Sequence, residues 1–184
     1  IKVELLAKVA MVLRIQEDAN HRMQSQKTAP QKTNIQAPST VDTLTGLMNW
    51  WSFDEIFEQE WQRAKQEHIP MSLLFMTLDN FKTFNDTYGY LTGDECLQRI
   101  AQSVQETFTA PGQIVARYRG AEFVVLLCGA GAEDAQSMAD HLYKTLKALD
   151  LGPLVAVRAA TIFPNEVTSR AALLTSAKNA VTNL

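Results

Sequence analysis

The stretch "MSLLFMTL", residues 71–78, constrains the fold of this chain most. Six of its eight residues are large and apolar, and it shows neither a two-residue alternation nor a helical stripe. A run of that length reads as a central strand covered on both faces. Covering layers are therefore required, and the rest of the chain supplies them. A helix is predicted over about 50–67, with Phe53, Ile56, Phe57, Trp61 and Ala64 on one face, and Pro70 breaks the chain before the strand. Thr92 and Glu95 are placed as a capping box for a helix that buries Leu97, Ile100, Ala101, Val104 and Phe108. Strands are expected near 113–118, 122–128 and 154–162, with helices near 133–149 and 169–183. The order α-β-α-α-β-β-α-β-α defines an α/β (α+β) domain: a central sheet flanked by helices with an internal β-hairpin, related to the split βαβ layout.

At 184 residues and 46% hydrophobic content, the chain suits one globular domain plus an accessory segment. Its formal net charge is −3 and its basic residues are scattered, which argues against a nucleic-acid or anionic-membrane footprint. A small ligand or a protein partner is expected instead. Cys96 and Cys128 sit in apolar contexts, so a reducing, cytoplasmic setting without disulfides is expected. No run reaches transmembrane length, and residues 1–23 lack the layout of a signal peptide. The first residue is not Met, which leaves upstream modules open. Within residues 1–23, Leu5, Val9, Val12, Gln16, Ala19 and Met23 make one helical face, suited to packing on its own domain or to a homodimer. Residues 24–40 are rich in Gln, Thr and Ser with two prolines, the composition of a flexible linker.

Three stretches in order carry a resemblance: "DTLTGLMNWWSF" (42–53), "FMTLDNFKTFNDTYGYLTGDECL" (75–97) and "ARYRGAEFVVLL" (116–127). Over about 41–184 the chain resembles the GGDEF family, the diguanylate cyclase domains of bacterial signalling. The resemblance implies a fold like a polymerase palm and a reaction in which two GTP-loaded domains condense two GTP into cyclic di-GMP. Such chemistry needs divalent ions to neutralise phosphate charge, and magnesium prefers carboxylate oxygens. The positions of the two family acids are taken here by Thr77 and Ala121, so both charged metal ligands are missing. The expectation is therefore a domain that is not an enzyme and requires no cofactor. It would act as a protein-interaction or scaffold module and bind a guanine nucleotide without metal. The alternative is a weak cyclase that uses Asp79 and Glu122 with magnesium or a permissive metal such as manganese. Asp79 would share the face of Thr77, nearly 7 Å along the strand, if the strand continues that far.

The degenerate signature is Arg119, Gly120, Ala121, Glu122 and Phe123. Arg119 replaces the first family glycine and reads either as a fork for phosphate oxygens or as a solvated turn residue. Glu122 reads either as a surviving site acid or as an ordinary strand acid. Asn85 and Asp94 match the positions that hydrogen-bond guanine. Their plain readings are a turn residue in "FNDTYG" and an acid in the first turn of a helix. Lys82 matches the "FK" lysine beside the phosphate loop, with an ordinary surface lysine as its plain reading. The family's product-inhibition motif aligns with Ala110, Pro111, Gly112 and Gln113, so sensing of cyclic di-GMP there is not expected. Lys178 falls earlier than the family's last-helix lysine and is set aside. Of Trp50 and Trp51, one packs while the other either anchors a partner or lies under the linker. Finally, "VELLAKVAMVLR" is similar to the closing helix of response-regulator receiver domains, which implies an upstream receiver of a two-component system.

Overall fold

The computed structural model describes residues 39–152, 154–165 and 167–182, with Leu154 and Thr182 described by backbone alone. The helix expected over 1–23 and nearly all of the linker lie outside the described residues. The first element, α1 (Trp50–Glu67), is capped by Asn49, whose side chain accepts from the Ser52 amide. His68 ends it in the left-handed region, with its N–H on the Ala64 carbonyl. Phe53, Phe57, Trp61 and Ala64 form its buried face as the sequence predicts, whereas Ile56, predicted with them, is only half-buried.

The apolar run is β1 (Met71–Asp79), the inner strand of a four-stranded antiparallel sheet. It pairs on one side with β3 (Glu122–Cys128) and on the other with β4 (Leu154–Ile162). The edge strand β2 (Gln113–Arg119) pairs with β3, giving the order β2-β3-β1-β4. Because β3 runs against both neighbours, β1 and β2 point the same way with β3 between them, which is the split βαβ layout. Met71, Leu73 and Phe75 face α1 and α5 (Arg170–Thr182), whereas Leu74, Met76 and Leu78 face α3 (Tyr90–Thr107) and α4 (Ala132–Ala148). Both faces of β1 are thus buried, and each large side chain removed from water contributes about 1.5–3 kcal/mol. Ser72 is tolerated in this run because its hydroxyl donates to the Ala130 carbonyl at 2.8 Å and shares a hydrogen bond with Thr161.

Two local expectations need correction. "FNDTYG" is not a turn but most of a short helix, α2 (Phe81–Tyr88); Phe84 is buried and its ring packs on Phe81 and Tyr88, while Lys82, Thr83, Asp86 and Thr87 face solvent. Thr92 is not an N-cap. Helix α3 starts at Tyr90, because Gly89 at φ 88° makes the break from α2, and the buried Thr92 hydroxyl donates back to the Tyr88 carbonyl at 2.8 Å. Cys96 and Cys128 are free, and burial pushes both thiols up to about 12, so neither is a thiolate near neutral pH. No helix among the described residues is long and apolar enough to cross a membrane.

Candidate functional site

The hairpin between β2 and β3 is held from below by Arg117. Its Nε and Nη2 both donate to the Gly120 carbonyl, at 3.0 and 2.7 Å, and Nη1 donates to Asp42 at 2.9 Å. Gly120 takes φ 52°, a conformation that costs glycine little. Burial alone would push the Asp42 carboxyl up. Hydrogen bonds from the Thr45 hydroxyl, Arg117 and the Thr45 amide, with the Arg117 charge, outweigh it and hold the group below its ordinary value. A carboxyl depressed by folding stabilises the fold above its unfolded value near 3.8, and that contribution is lost as pH falls through the lower folded value. Asp42→Asn should therefore lower the melting temperature at pH 7, with the gap to wild type closing in acid below that range. A constant gap across the titration would contradict this.

At the top of the sheet, Thr77 lies directly opposite Glu122 on one side and Ala156 on the other. Strand β1 does continue to Asp79, which pairs with Leu154 and is exposed. Ala121 sits in the turn, half-buried against the core. Glu122 is neither free nor fully exposed: Lys178 of α5 reaches it, with Nζ 3.2 Å from Oε1. The ammonium also lies 5.5 Å from the Phe75 ring centre and 5.3 Å from that of Tyr118. Lys178, set aside in the sequence, is thus brought to the hairpin. The available signal was its place in α5, one residue after the buried Ala177 and one turn after Leu174, on the flank of the packed face.

Arg119 is exposed, but it is not simply solvated. Its guanidinium lies 4.6 Å from the centre of the Tyr118 ring and donates to the Tyr118 hydroxyl at 3.1 Å. Lys82 is exposed in the first turn of α2, a helix whose N-cap, Asn80, is left-handed and makes no side-chain cap bond. The remaining candidates gather where α2 meets α3. A β-carbon at Gly93 would stand 1.9 Å from Asn85 Oδ1, so that glycine exists to let the Asn85 side chain in. Asn85 Oδ1 is buried without a hydrogen-bond partner, and Asp94 follows on the exposed side of α3. Both plain readings lapse here: Asn85 is helical rather than in a turn, and Asp94 is the fifth residue of α3, beyond its first turn.

The site residues therefore form two groups, Asn85 and Asp94 at the α2–α3 contact, and Arg119, Gly120 and Glu122 at the hairpin. A cleft of about 190 Å³ beside Asp79, Asn80, Thr83 and Tyr88 is small against the usual ligand pocket of about 300–1,000 Å³. The set does not fit a divalent metal. Thr77 and Ala121 bring no charge, Glu122 is paired, and no three His, Cys, Asp or Glu side chains converge among the described residues. The 110–113 turn is uncharged, and Gln113 spends its side-chain carbonyl on the Ala110 amide at 3.0 Å.

A β-α-α-β-β-α-β domain with the sheet order β2-β3-β1-β4 defines a class that the sequence comparison then fixes. The family described as "Diguanylate cyclase, GGDEF domain" matches residues 39–164, and the chain belongs to the GGDEF family. It is 30% identical over 125 residues to the probable diguanylate cyclase DgcC of Escherichia coli K12, covering 68% of this chain and 33% of that protein. The bifunctional diguanylate cyclase/cyclic di-GMP phosphodiesterase MucR of Pseudomonas aeruginosa is 37% identical over 105 residues, covering 57% of this chain and 15% of that protein. The chain thus spans about a third or less of these relatives. The GGDEF domain of DgcB from Caulobacter crescentus, solved with c-di-GMP, shares the fold with a TM-score of 0.72 at 24% identity, covering 81% of this chain and 91% of that one. The GGDEF domain of PA1120 from P. aeruginosa gives 0.68 at 29% identity, covering 77% and 86%.

Proposed function

We propose that this chain is a catalytically inactive GGDEF domain that acts through protein contacts and keeps a guanine-nucleotide site independent of metal. The reading rests on the hairpin: by the sequence resemblance Thr77 and Ala121 take the positions of the family's metal acids, and the observation that supports it is that Glu122, opposite Thr77, is paired with Lys178. Developing charge on a transferring phosphoryl group would then lack its main stabiliser. The base pocket supports retained binding. Asn85 Oδ1, buried and unpartnered, is an acceptor waiting for a donor, and the exposed Asp94 carboxylate suits the N1 and N2 donors of guanine. A cytoplasmic role in bacterial signalling fits relatives named for making cyclic di-GMP. A relative named as a cyclic di-GMP phosphodiesterase, NbdA of P. aeruginosa, is 30% identical over 138 residues, so such a stretch also occurs in a protein named for the opposite reaction. An upstream receiver domain, a two-component context and dimerisation through residues 1–23 complete the proposal. Protein binding has a precedent in the solved complex of the diguanylate cyclase SiaD with its activator SiaC, whose fold this chain shares at a TM-score of 0.68.

The second reading, a weak cyclase using Asp79 and Glu122, rests on the names of the relatives and on β1 extending to Asp79. Calorimetry separates the two. GTP is expected to bind equally in EDTA and in excess magnesium, and Asp94→Ala should weaken the preference for GTP over ATP by roughly tenfold, the loss of one charge-assisted contact. Binding that appears only with magnesium would support the second reading, and no binding in either buffer would remove the nucleotide from the proposal.

A further inference from the structure

Glu122 is the only acid in the five-residue signature, and its surroundings decide whether a cation can use it. Its partner Lys178 is not a loose surface lysine. The side chains of the pair are 22% and 36% exposed, and the ammonium is bounded by the rings of Phe75 and Tyr118. The helix that carries it is fixed along its length. Arg170 at its start is held by Asp54 and Glu58, each at 2.7 Å, and Leu173, Ala177 and Val181 are buried in the core. Across the strand pair Glu122 meets Thr77 rather than a second acid, so nothing competes with Lys178 for its charge from that side.

We propose that Lys178 is a built-in cation that closes the hairpin to divalent metal ions, occupying Glu122 with a covalently tethered positive charge. This deepens the metal-independent reading given above and rests on it. Exclusion then has two layers: the missing acids lower the attraction for a divalent ion, and the ammonium repels what remains. Arg119, on the other contact of the Tyr118 ring, adds to the same field.

The test uses Mn²⁺ alone, on the full chain without nucleotide, read as paramagnetic broadening of amide signals. Wild type should show no selective broadening at Glu122, Phe123 or Asp79. In Lys178→Met those signals should broaden at roughly tenfold lower Mn²⁺ than in wild type, because a unit of positive charge has left the site. Lys178→Arg should restore exclusion, and Lys178→Met/Glu122→Gln should lose the gained site. Should Lys178→Met fail to fold, Lys178→Gln serves the same comparison. Equal broadening in wild type and the Met or Gln variant would overturn the inference, as would broadening that survives loss of Glu122. No nucleotide is present, so failure of GTP to bind leaves this outcome untouched.

Discussion

Phe75→Ala is expected to destabilise the domain by about 3–5 kcal/mol, the range for emptying a large aromatic from a packed core. Phe75 is 1% exposed at the middle of β1, between Val124 on β3 and Arg158 on β4, so no solvent or flexible edge can fill the gap. Its ring meets Tyr118 edge-on at 5.5 Å and lies under Lys178, so the truncation also removes a wall of the Glu122 pair. Urea unfolding should show a lower midpoint with an unchanged slope, since the same surface is exposed on unfolding. A loss below about 1 kcal/mol would mean that the α1–α5 face of the sheet is not packed as described.

The larger effect concerns chemistry. Removing a single preorganised group that stabilises developing charge typically costs about 10²–10³ in rate. On the proposed reading, the Thr77 hydroxyl and the Ala121 methyl take the places of two metal-holding carboxylates, and Glu122 is countered by an ammonium at 3.2 Å. If the two losses act separately, cyclic di-GMP formation should fall on the order of 10⁴-fold or more below that of a domain carrying both acids. Restoring them tests the same statement from the other side. Thr77→Asp/Ala121→Glu, with Lys178→Met to release Glu122, should bring back metal-dependent turnover, whereas Asp79→Asn or Glu122→Gln in the unaltered chain should change nothing measurable.

Much of the fold was legible because its strongest signals are local. The unbroken apolar run of β1 announces a strand with two covered faces, and the stripe of Phe53, Phe57, Trp61 and Ala64 announces the helix on one of them. The β2–β3 hairpin shows as two apolar runs around a glycine at positive φ. What failed was also local. In "FNDTYG" the turn-forming side chains outnumber the apolar ones, yet Phe81, Phe84 and Tyr88 set the conformation by packing, a tertiary effect that propensity does not contain. Thr92 resembles a cap because its type suits one, but Gly89 three residues earlier, at φ 88°, makes the break that starts the helix. The site divides in the same way. That residues 77 and 121 are Thr and Ala, without charge, can be read from the chain, whereas the meeting of Lys178 with Glu122 spans 56 residues and depends on how α5 lies against the sheet. Trp50 and Trp51 were separable in principle but not in assignment: Trp50 packs edge-on against Tyr118 at 4.5 Å, and Trp51 is 80% exposed.

The most direct measurement is product analysis: purified full chain at several concentrations, incubated with GTP and either Mg²⁺ or Mn²⁺, with cyclic di-GMP quantified by chromatography and mass. An inactive domain gives no product above the protein-free blank at any concentration. Product that rises with protein concentration and disappears in Glu122→Ala would show that the hairpin still does chemistry, and would contradict the assignment of this domain as catalytically silent.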